Sequence, residues 1–234
     1  MINNVSVIIP IYNEVKNLAE TVNKIHQSLL ASTLTYELIL VDDGSHDGSS
    51  AVIENLSLSN VKNIKHNINR GYGATLKSGV KSASFDTILI IDADGTYHSE
   101  DMLKLVHSMD DFDMLIGSRT GDAVAIPIIR KPVKAILKKM AEYLSGSIIP
   151  DLNSGLRIMK KSLVNRFMNI LPDGFSFTST TTLAALMNAY NVGFMPVNYN
   201  KRHGKSKIRP FRDTLNFFKI IISTFAPTLL SVTI

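Results

Sequence analysis

The sequence of 234 residues contains no cysteine, and this absence excludes a disulfide framework, a thiolate metal site and a cysteine nucleophile. It also lacks the basic start of a secretory signal, because residues 1–4 carry no Lys or Arg and the apolar run behind them is short and contains Pro10. We therefore expect a cytosol-facing protein. Apolar residues make up 45% of the chain, which excludes global disorder and fits one domain with at most a small appendage.

Acidic residues are scarce in the second half of the chain. Residues 1–122 contain 9 basic and 16 acidic residues, whereas residues 123–234 contain 16 basic and 4 acidic ones. The basic half is predicted to meet an anion, which could be a phosphate, a nucleic acid or an anionic membrane. The alternative is that the charge asymmetry only reflects two faces of the protein that are solvated differently.

Strand-like and helix-like segments alternate through the first half. The predicted strands cover residues 5–11, 36–41, 61–65, 87–91 and 114–116. The predicted helices cover residues 14–30, 47–56, 74–82 and 99–106, with Asp47 and Ser99 as candidate caps. This alternation predicts an α/β fold with a mostly parallel sheet flanked by helices.

The second half has a less regular pattern. Helices are predicted at 129–144, which is basic and amphipathic, and at 179–190, followed by a strand at 192–199 and a loop at 199–212 with six Lys or Arg. Residues 220–234 carry no charge, but 15 residues are fewer than the about 20 that span a bilayer. With basic residues nearby, the tail is predicted to form an amphipathic helix on an anionic membrane; the alternative is a helix packed on the core.

Acidic residues follow several predicted strands, and the carboxyl ends of parallel strands meet at one edge of a sheet. Asp92 and Asp94 are two residues apart, which suits Mg²⁺ or Mn²⁺ held against a diphosphate, or else a pair of turn-forming residues. Asp42 and Asp43 precede a glycine, so they could accept hydrogen bonds from a nucleotide or form an Asp-Gly turn. We expect one cleft at this edge.

The residues 69–73, Asn-Arg-Gly-Tyr-Gly, resemble a glycine-rich phosphate loop, but Leu76 stands where a third glycine is needed. This favours a tight turn, although Arg70 could still approach a ligand. Several arginines of the chain could each be solvated or could together clamp a diphosphate: Arg119, Arg130, Arg157 and Arg202.

The stretch between Asp173 and Asp213 contains no Asp or Glu. Transfer of a group to a neutral hydroxyl usually needs a base, whereas a phosphate monoester is already ionised at neutral pH. The pattern favours an anionic acceptor, unless Asp151 or Asp173 serves as a base.

Seven motifs now stand in order along the chain: PIYNE at 10–14, VDDGSHDG at 41–48, NRGYGA at 69–74, DADGTY at 92–97, GSR at 117–119, DLNSGLR at 151–157 and HGKSK at 203–207. With these motifs the chain resembles family 2 glycosyltransferases of the GT-A (Rossmann-like) fold over about residues 4–222. Within them it most resembles the dolichyl-phosphate or polyprenyl-phosphate mannose synthase branch.

The resemblance implies a role for each matched residue. The implied nucleotide contacts are Pro10, Tyr12, Glu14, Asp42, Asp92 and Ala93. The implied metal ligands are Asp92 and Asp94, and the implied catalytic set is Asp94, Arg119, Arg130 and Arg202. The implied acceptor-phosphate contacts are Ser154, Arg157 and Lys207. Thr96 replaces a glutamine that is a third metal ligand in some relatives, Leu156 replaces a common phenylalanine, and residues 174–181 lack an acid that many relatives carry.

The resemblance therefore implies inverting, metal-dependent transfer of a hexose from a nucleotide-diphosphate sugar, of the GDP-mannose or UDP-glucose type, to a polyprenyl phosphate. Residues 1–210 would form the catalytic domain, and residues 211–234 a membrane-associating segment on the cytoplasmic face. The alternatives are transfer to a sugar hydroxyl in a cell-envelope polysaccharide, and a non-catalytic module that binds a nucleotide sugar or a nucleic acid. We expect no nucleic-acid partner, because the basic residues lack interleaved aromatics and no reader motif is present.

Overall fold

The computed structural model describes residues 2–121, 139, 141–143 and 145–201. The strands are β1 (Asn4–Ile11), β2 (Thr35–Asp42), β3 (Val61–Lys65), β4 (Thr87–Ile90), β5 (Met114–Ser118), β6 (Arg157–Lys160) and β7 (Val192–Pro196). The helices are α1 (Leu18–Leu30), α2 (Ser49–Asn55), α3 (Tyr72–Ser82), α4 (Ser99–His107), α5 (Lys161–Phe167) and α6 (Phe177–Met187).

The seven strands form one sheet in the order β3-β2-β1-β4-β6-β5-β7. All neighbouring pairs are parallel except those of β6, which runs antiparallel to both β4 and β5. The predicted mostly parallel α/β sheet is therefore confirmed. The sequence pattern did not predict β6 or α5.

Both faces of the sheet are covered, so β1 and β4 are mostly apolar and almost entirely buried. In β1, Ile8 packs on the side of α3, α5 and α6, whereas Val7 and Ile9 pack on the side of α1, α2 and α4. This alternation follows from the two-residue period of a strand, and it gives two cores that clamp the sheet between layers of helices.

Some predicted boundaries differ from the structure. α1 begins at Leu18 rather than at residue 14, because the residues before it form a loop tied to Ser45, which follows β2, and to Ser49 at the start of α2. The prediction of Ser99 as a cap was wrong: His98 occupies the cap position of α4 and Ser99 is the first helical residue. Gly48 is the cap residue of α2, while Asp47 still accepts hydrogen bonds from the Ser49 N–H and hydroxyl.

The C-terminal predictions lie outside the described residues. These are the amphipathic segment 211–234, the domain boundary at 210, most of the loop 199–212 and most of the basic helix 129–144, of which residues 139 and 141–143 are described and helical. Among the helices that the structure describes, none has both the length and the apolar character that crossing a membrane requires.

The topology brings several loops to one edge of the sheet. β1, β2, β4 and β5 point the same way, so their carboxyl ends lie there, and the antiparallel β6 begins there. Arg157, the first residue of β6, pairs with Ile90 of β4 and with Ile116 of β5. The fold thus places the segment before β6 beside the ends of β4 and β5.

Candidate active site

The loop after β1 is fastened to the loop after β2 by hydrogen bonds to serine hydroxyls. The Asn13 N–H donates to Ser45 Oγ over 2.9 Å, and the Glu14 N–H donates to Ser49 Oγ over 3.0 Å. Asn13 adopts a left-handed conformation with φ of 53°, which asparagine tolerates better than most residues. These bonds fix the backbone that carries Tyr12 and Glu14, whose side chains are partly exposed at the edge of the sheet.

Pro10 and Ala93, two of the predicted nucleotide contacts, are buried. Pro10 is tolerated in the central strand β1 because its nitrogen faces β4, where the paired register ends at Ile8 and Ile90. Their predicted contact with a nucleotide stays a prediction.

Asp42, at the end of β2, is buried and organises its own loop. Its Oδ1 accepts a hydrogen bond from the Ser45 N–H over 3.0 Å, and its Oδ2 accepts one from the Ser50 hydroxyl. The predicted nucleotide contact of Asp42 stays a prediction, and these bonds support the turn interpretation of the Asp-Gly motif.

The resemblance assigned no role to Asp43, yet this residue joins two loops of the site. Its carboxylate accepts the backbone N–H groups of Arg70 and Gly71, each over 2.9 Å, and bonds to His66 Nδ1 over 2.7 Å. His66 Nε2 in turn lies 2.9 Å from Ser78 Oγ in α3. The glycine-rich segment is therefore a turn held by a protein carboxylate. Two adjacent aspartates at a strand end were the available signal.

Asp92 follows β4 and lies against two other segments. The Tyr72 hydroxyl donates to Asp92 Oδ1 over 3.1 Å. On the other side, a Cβ atom added to Gly155 would lie 2.1 Å from Asp92 Oδ2, so only glycine leaves room for this carboxylate. Burial, and then the charge of Asp92, raise the pKa of Tyr72 well above its ordinary value, which keeps the phenol protonated as a donor.

Asp94 is buried and is held from within its own loop. Its Oδ1 accepts a hydrogen bond from the Thr96 hydroxyl over 2.6 Å and one from the Thr96 N–H over 3.2 Å. Thr96 is fully buried. The residue that replaces the glutamine of some relatives thus orients Asp94.

The donor atoms at this edge fit a magnesium or manganese ion. In the described part of the chain, no three or more His, Cys, Asp or Glu side chains are grouped closely enough to hold a metal by themselves. Mg²⁺ ordinarily uses one or two carboxylates together with waters and substrate phosphates, and does not need a protein cage. Asp92 and Asp94 would supply those carboxylates.

Tyr97 ties the aspartate loop to the segment before β6. The Gly155 N–H donates to Tyr97 Oη over 2.8 Å, and the Ser154 hydroxyl donates to the Gly117 carbonyl. Tyr97 therefore donates its own proton to Ser154 Oγ, 3.0 Å away. Burial raises the pKa of Tyr97 far above its ordinary value. Ser154 is fully buried in this network, which favours a positioning role over the predicted contact with an acceptor.

Arg119 and Asp151 form a forked ion pair. Arg119 Nε and Nη2 donate to the two carboxylate oxygens over 2.6 and 2.8 Å, and the Arg119 guanidinium lies over the Tyr199 ring, 5.2 Å from its centre. Burial alone would raise the pKa of Asp151, but the hydrogen bonds and charge of Arg119 outweigh it and lower that pKa. Asp151 is therefore a poor candidate for a general base.

Arg157 is completely buried, with no exposed surface for an acceptor. Its Nε and Nη2 donate to the Ser154 carbonyl over 3.1 and 2.6 Å, and its Nη1 donates to the Thr178 carbonyl over 2.9 Å. It joins the start of β6 to α6. Direct contact with an acceptor phosphate stays a prediction, and the burial favours a structural role.

Three predicted site residues, Arg130, Arg202 and Lys207, lie outside the described residues. The other predicted residues meet at one edge of the sheet, where hydrogen bonds link the loops after β1, β2 and β4 and the segment before β6. The predicted meeting of these loops at one edge is therefore confirmed for the described residues, and the cleft itself stays a prediction.

Comparison with known proteins identifies the class of enzyme. The family model for glycosyl transferase family 2 matches residues 6–167, and the chain belongs to this family. The protein is a family 2 glycosyltransferase.

The chain is also similar to individual members of this family. Over 215 residues the chain is 27% identical to the polyprenol monophosphomannose synthase of Mycolicibacterium smegmatis, covering 86% of this chain and 80% of that one. Over 170 residues it is 29% identical to an undecaprenyl-phosphate 4-deoxy-4-formamido-L-arabinose transferase of Proteus mirabilis, which covers 71% of this chain and 52%, about half, of that relative.

The fold also matches a solved structure. Glucosyl-3-phosphoglycerate synthase from Mycobacterium tuberculosis, crystallised with Mn²⁺, uridine diphosphate and phosphoglyceric acid, gives a TM-score of 0.74 over 94% of this chain and 78% of that chain. The identity is 15%, so this likeness shows the fold alone.

Proposed function

We propose that this protein transfers a hexose from a nucleotide-diphosphate sugar of the GDP-mannose or UDP-glucose type to a polyprenyl phosphate, with inversion and with Mg²⁺ or Mn²⁺. Two relatives are named for polyprenol monophosphomannose and for undecaprenyl phosphate, and this supports a lipid-phosphate acceptor. The choice of metal and donor class is an analogy with the enzyme of like fold that was crystallised with Mn²⁺ and uridine diphosphate.

The observation that carries the donor side is the pair Asp92 and Asp94 at the carboxyl edge of the sheet. Asp94 is held by Thr96, and Asp92 by Tyr72. A divalent cation bound by these carboxylates would neutralise charge on the leaving nucleoside diphosphate. Tyr12 and Glu14, fixed on the neighbouring loop, are our proposed contacts to the nucleoside.

Two acids that could serve as a base for the acceptor are already paired with cations. Asp151 is paired with Arg119, and Asp173 accepts a hydrogen bond from Lys77 Nζ over 2.7 Å. Residues 174–201 contain no Asp or Glu. An ionised phosphate oxygen can attack the anomeric carbon without losing a proton, and the bond from that carbon to the diphosphate oxygen then breaks. No base is needed for this step.

Cations would stabilise the two phosphates during transfer. Arg130, Arg202 and Lys207 are our proposed donors, and they belong to the half of the chain with 16 basic and 4 acidic residues. Arg119 contributes by shaping the site with Asp151. The segment 211–234 is proposed to hold the enzyme on the membrane that contains its acceptor.

The proposal is tested by measuring transfer of radiolabelled sugar from GDP-mannose and UDP-glucose to a short polyprenyl phosphate. Wild-type enzyme with Mg²⁺ or Mn²⁺ should place label in the organic phase, and Asp94→Asn should reduce transfer by at least about 100-fold, because it removes a proposed metal ligand. Glu100→Gln, an exposed acid on α4, is the matched control and should behave as wild type. Near-normal transfer by Asp94→Asn would contradict the metal assignment.

A parallel assay supplies a sugar hydroxyl acceptor or a soluble phosphorylated acceptor. Label on one of these, with no label in lipid, would retain the family and discard the lipid-phosphate acceptor.

A further inference from the structure

The first turns of α3, which follow the glycine-rich turn, pack directly on the segment before α6. The Ala74 N–H donates to the Asp173 carbonyl over 3.0 Å, and a Cβ atom added to Gly73 would lie 2.1 Å from the Pro172 carbonyl oxygen. Lys77 closes the contact with its hydrogen bond to Asp173. These contacts join the start of α3 to the segment before α6, which is distant from it in sequence.

An aromatic pair sits at this junction. The rings of Tyr72 and Phe175 are stacked, with centroids 5.5 Å apart and planes inclined by 14°. The Tyr72 backbone is fixed at its other end, because the N–H of its neighbour Gly71 donates to Asp43. Tyr72 is thus held through its backbone and through the face of its ring, and its hydroxyl donates to Asp92 Oδ1.

We propose that Tyr72 is a positioning residue, which orients the Asp92 carboxylate for the metal–diphosphate and transmits the placement of Phe175 to it. This inference rests on the proposed function, since it assumes that Asp92 binds the metal. Groups that orient a metal-ligating carboxylate commonly change metal affinity by 10- to 100-fold when removed.

The geometry separates two contributions. The hydroxyl of Tyr72 contacts Asp92, whereas the ring of Phe175 contacts the ring of Tyr72. Tyr72→Phe removes the hydrogen bond and keeps the stack, and Phe175→Leu removes the stack and keeps the hydroxyl. If Phe175 acts through Tyr72, its substitution should have little further effect once the hydroxyl is gone.

The test is Mn²⁺ binding to the full-length protein in the presence of GDP or UDP, followed by the electron paramagnetic resonance signal of free Mn²⁺. We expect Tyr72→Phe to weaken Mn²⁺ binding by about 10-fold or more, and Phe175→Leu to weaken it by a smaller factor. The double variant should match Tyr72→Phe. Nucleotide binding without metal and the melting temperature of Tyr72→Phe should stay close to wild type.

Tyr190→Phe is the matched control, because Tyr190 also contacts an aromatic ring, that of Phe167, with centroids 5.9 Å apart. It should leave the Mn²⁺ affinity unchanged. Wild-type Mn²⁺ affinity in Tyr72→Phe would overturn this inference and leave the proposed function standing. Absence of Mn²⁺ binding by the wild type would overturn both.

Discussion

The two aspartates of the proposed metal site differ in how they are held. Asp94 is oriented by Thr96, two residues further along the same loop, whereas Asp92 is bounded by Tyr72 and Gly155 from two other segments. A D-x-D motif read from the sequence gives no information on these neighbours. The site therefore depends on residues that carry no ligand atom themselves.

Substitution of Gly155 tests how the Asp92 carboxylate is placed. Gly155→Ala places a Cβ atom against the Asp92 carboxylate, so we expect Asp92 to shift and Mn²⁺ affinity with nucleotide to fall by about 10-fold or more. Gly174→Ala is the matched control, because a Cβ atom there meets nothing within 4 Å. Titration of both variants with Mn²⁺ checks the prediction, and equal affinities for Gly155→Ala and the wild type would refute it.

At the scale of elements, the most informative contact joins the end of β5 to the segment before β6 through Arg119 and Asp151. Only 12% of each side chain is exposed, so removal of one partner leaves a nearly buried charge without compensation. The pair also explains why an acid in the basic half of the chain need not act as a base.

Asp151→Asn should lower the free energy of unfolding by about 3 kcal/mol at neutral pH. Because Asp151 has a lowered pKa in the folded protein, its stabilisation is present above the unfolded pKa of about 4 and is lost as pH falls through the folded pKa. The difference between wild type and variant, measured by urea unfolding, should therefore shrink in acid. Asp173→Asn, in an exposed ion pair, should change stability by less than about 1 kcal/mol. A difference for Asp151→Asn that is constant down to about pH 2 would contradict this account.

The sequence predicts most elements of the first half, because β1, β2 and β4 are mostly apolar and α1 and α4 each have a clear apolar stripe. It did not predict β6, since Arg157, Ile158, Met159 and Lys160 form a short segment without alternation and one end is a buried arginine. The ends of β1, β2 and β4 were predicted to meet. The hydrogen bonds that link these ends were not predicted, because Asp43, Tyr72 and Tyr97 make tertiary contacts that no local sequence pattern indicates.

At the scale of the whole molecule, we propose that the charge division reflects two tasks. The half with an acidic excess carries Asp92 and Asp94, and the half with a basic excess is proposed to contact the acceptor and the membrane. The residues proposed for the second task lie largely outside the described part of the chain.

Membrane binding is tested by flotation of the full-length protein with lipid vesicles. We expect it to float with vesicles that contain anionic lipid, and less so at high salt, because Lys and Arg near the apolar segment 220–234 contribute a screened attraction. Protein that remains at the bottom of the gradient at low salt would contradict the proposed membrane segment.

The central claim is that the acceptor atom is a phosphate oxygen that needs no protein base. The most direct measurement compares sugar transfer to a polyprenyl phosphate and to the polyprenol of the same chain length, with the metal present and then chelated. We predict transfer to the phosphate alone, with loss of transfer on chelation. Equal transfer to the polyprenol, or transfer that persists without metal, would contradict the account.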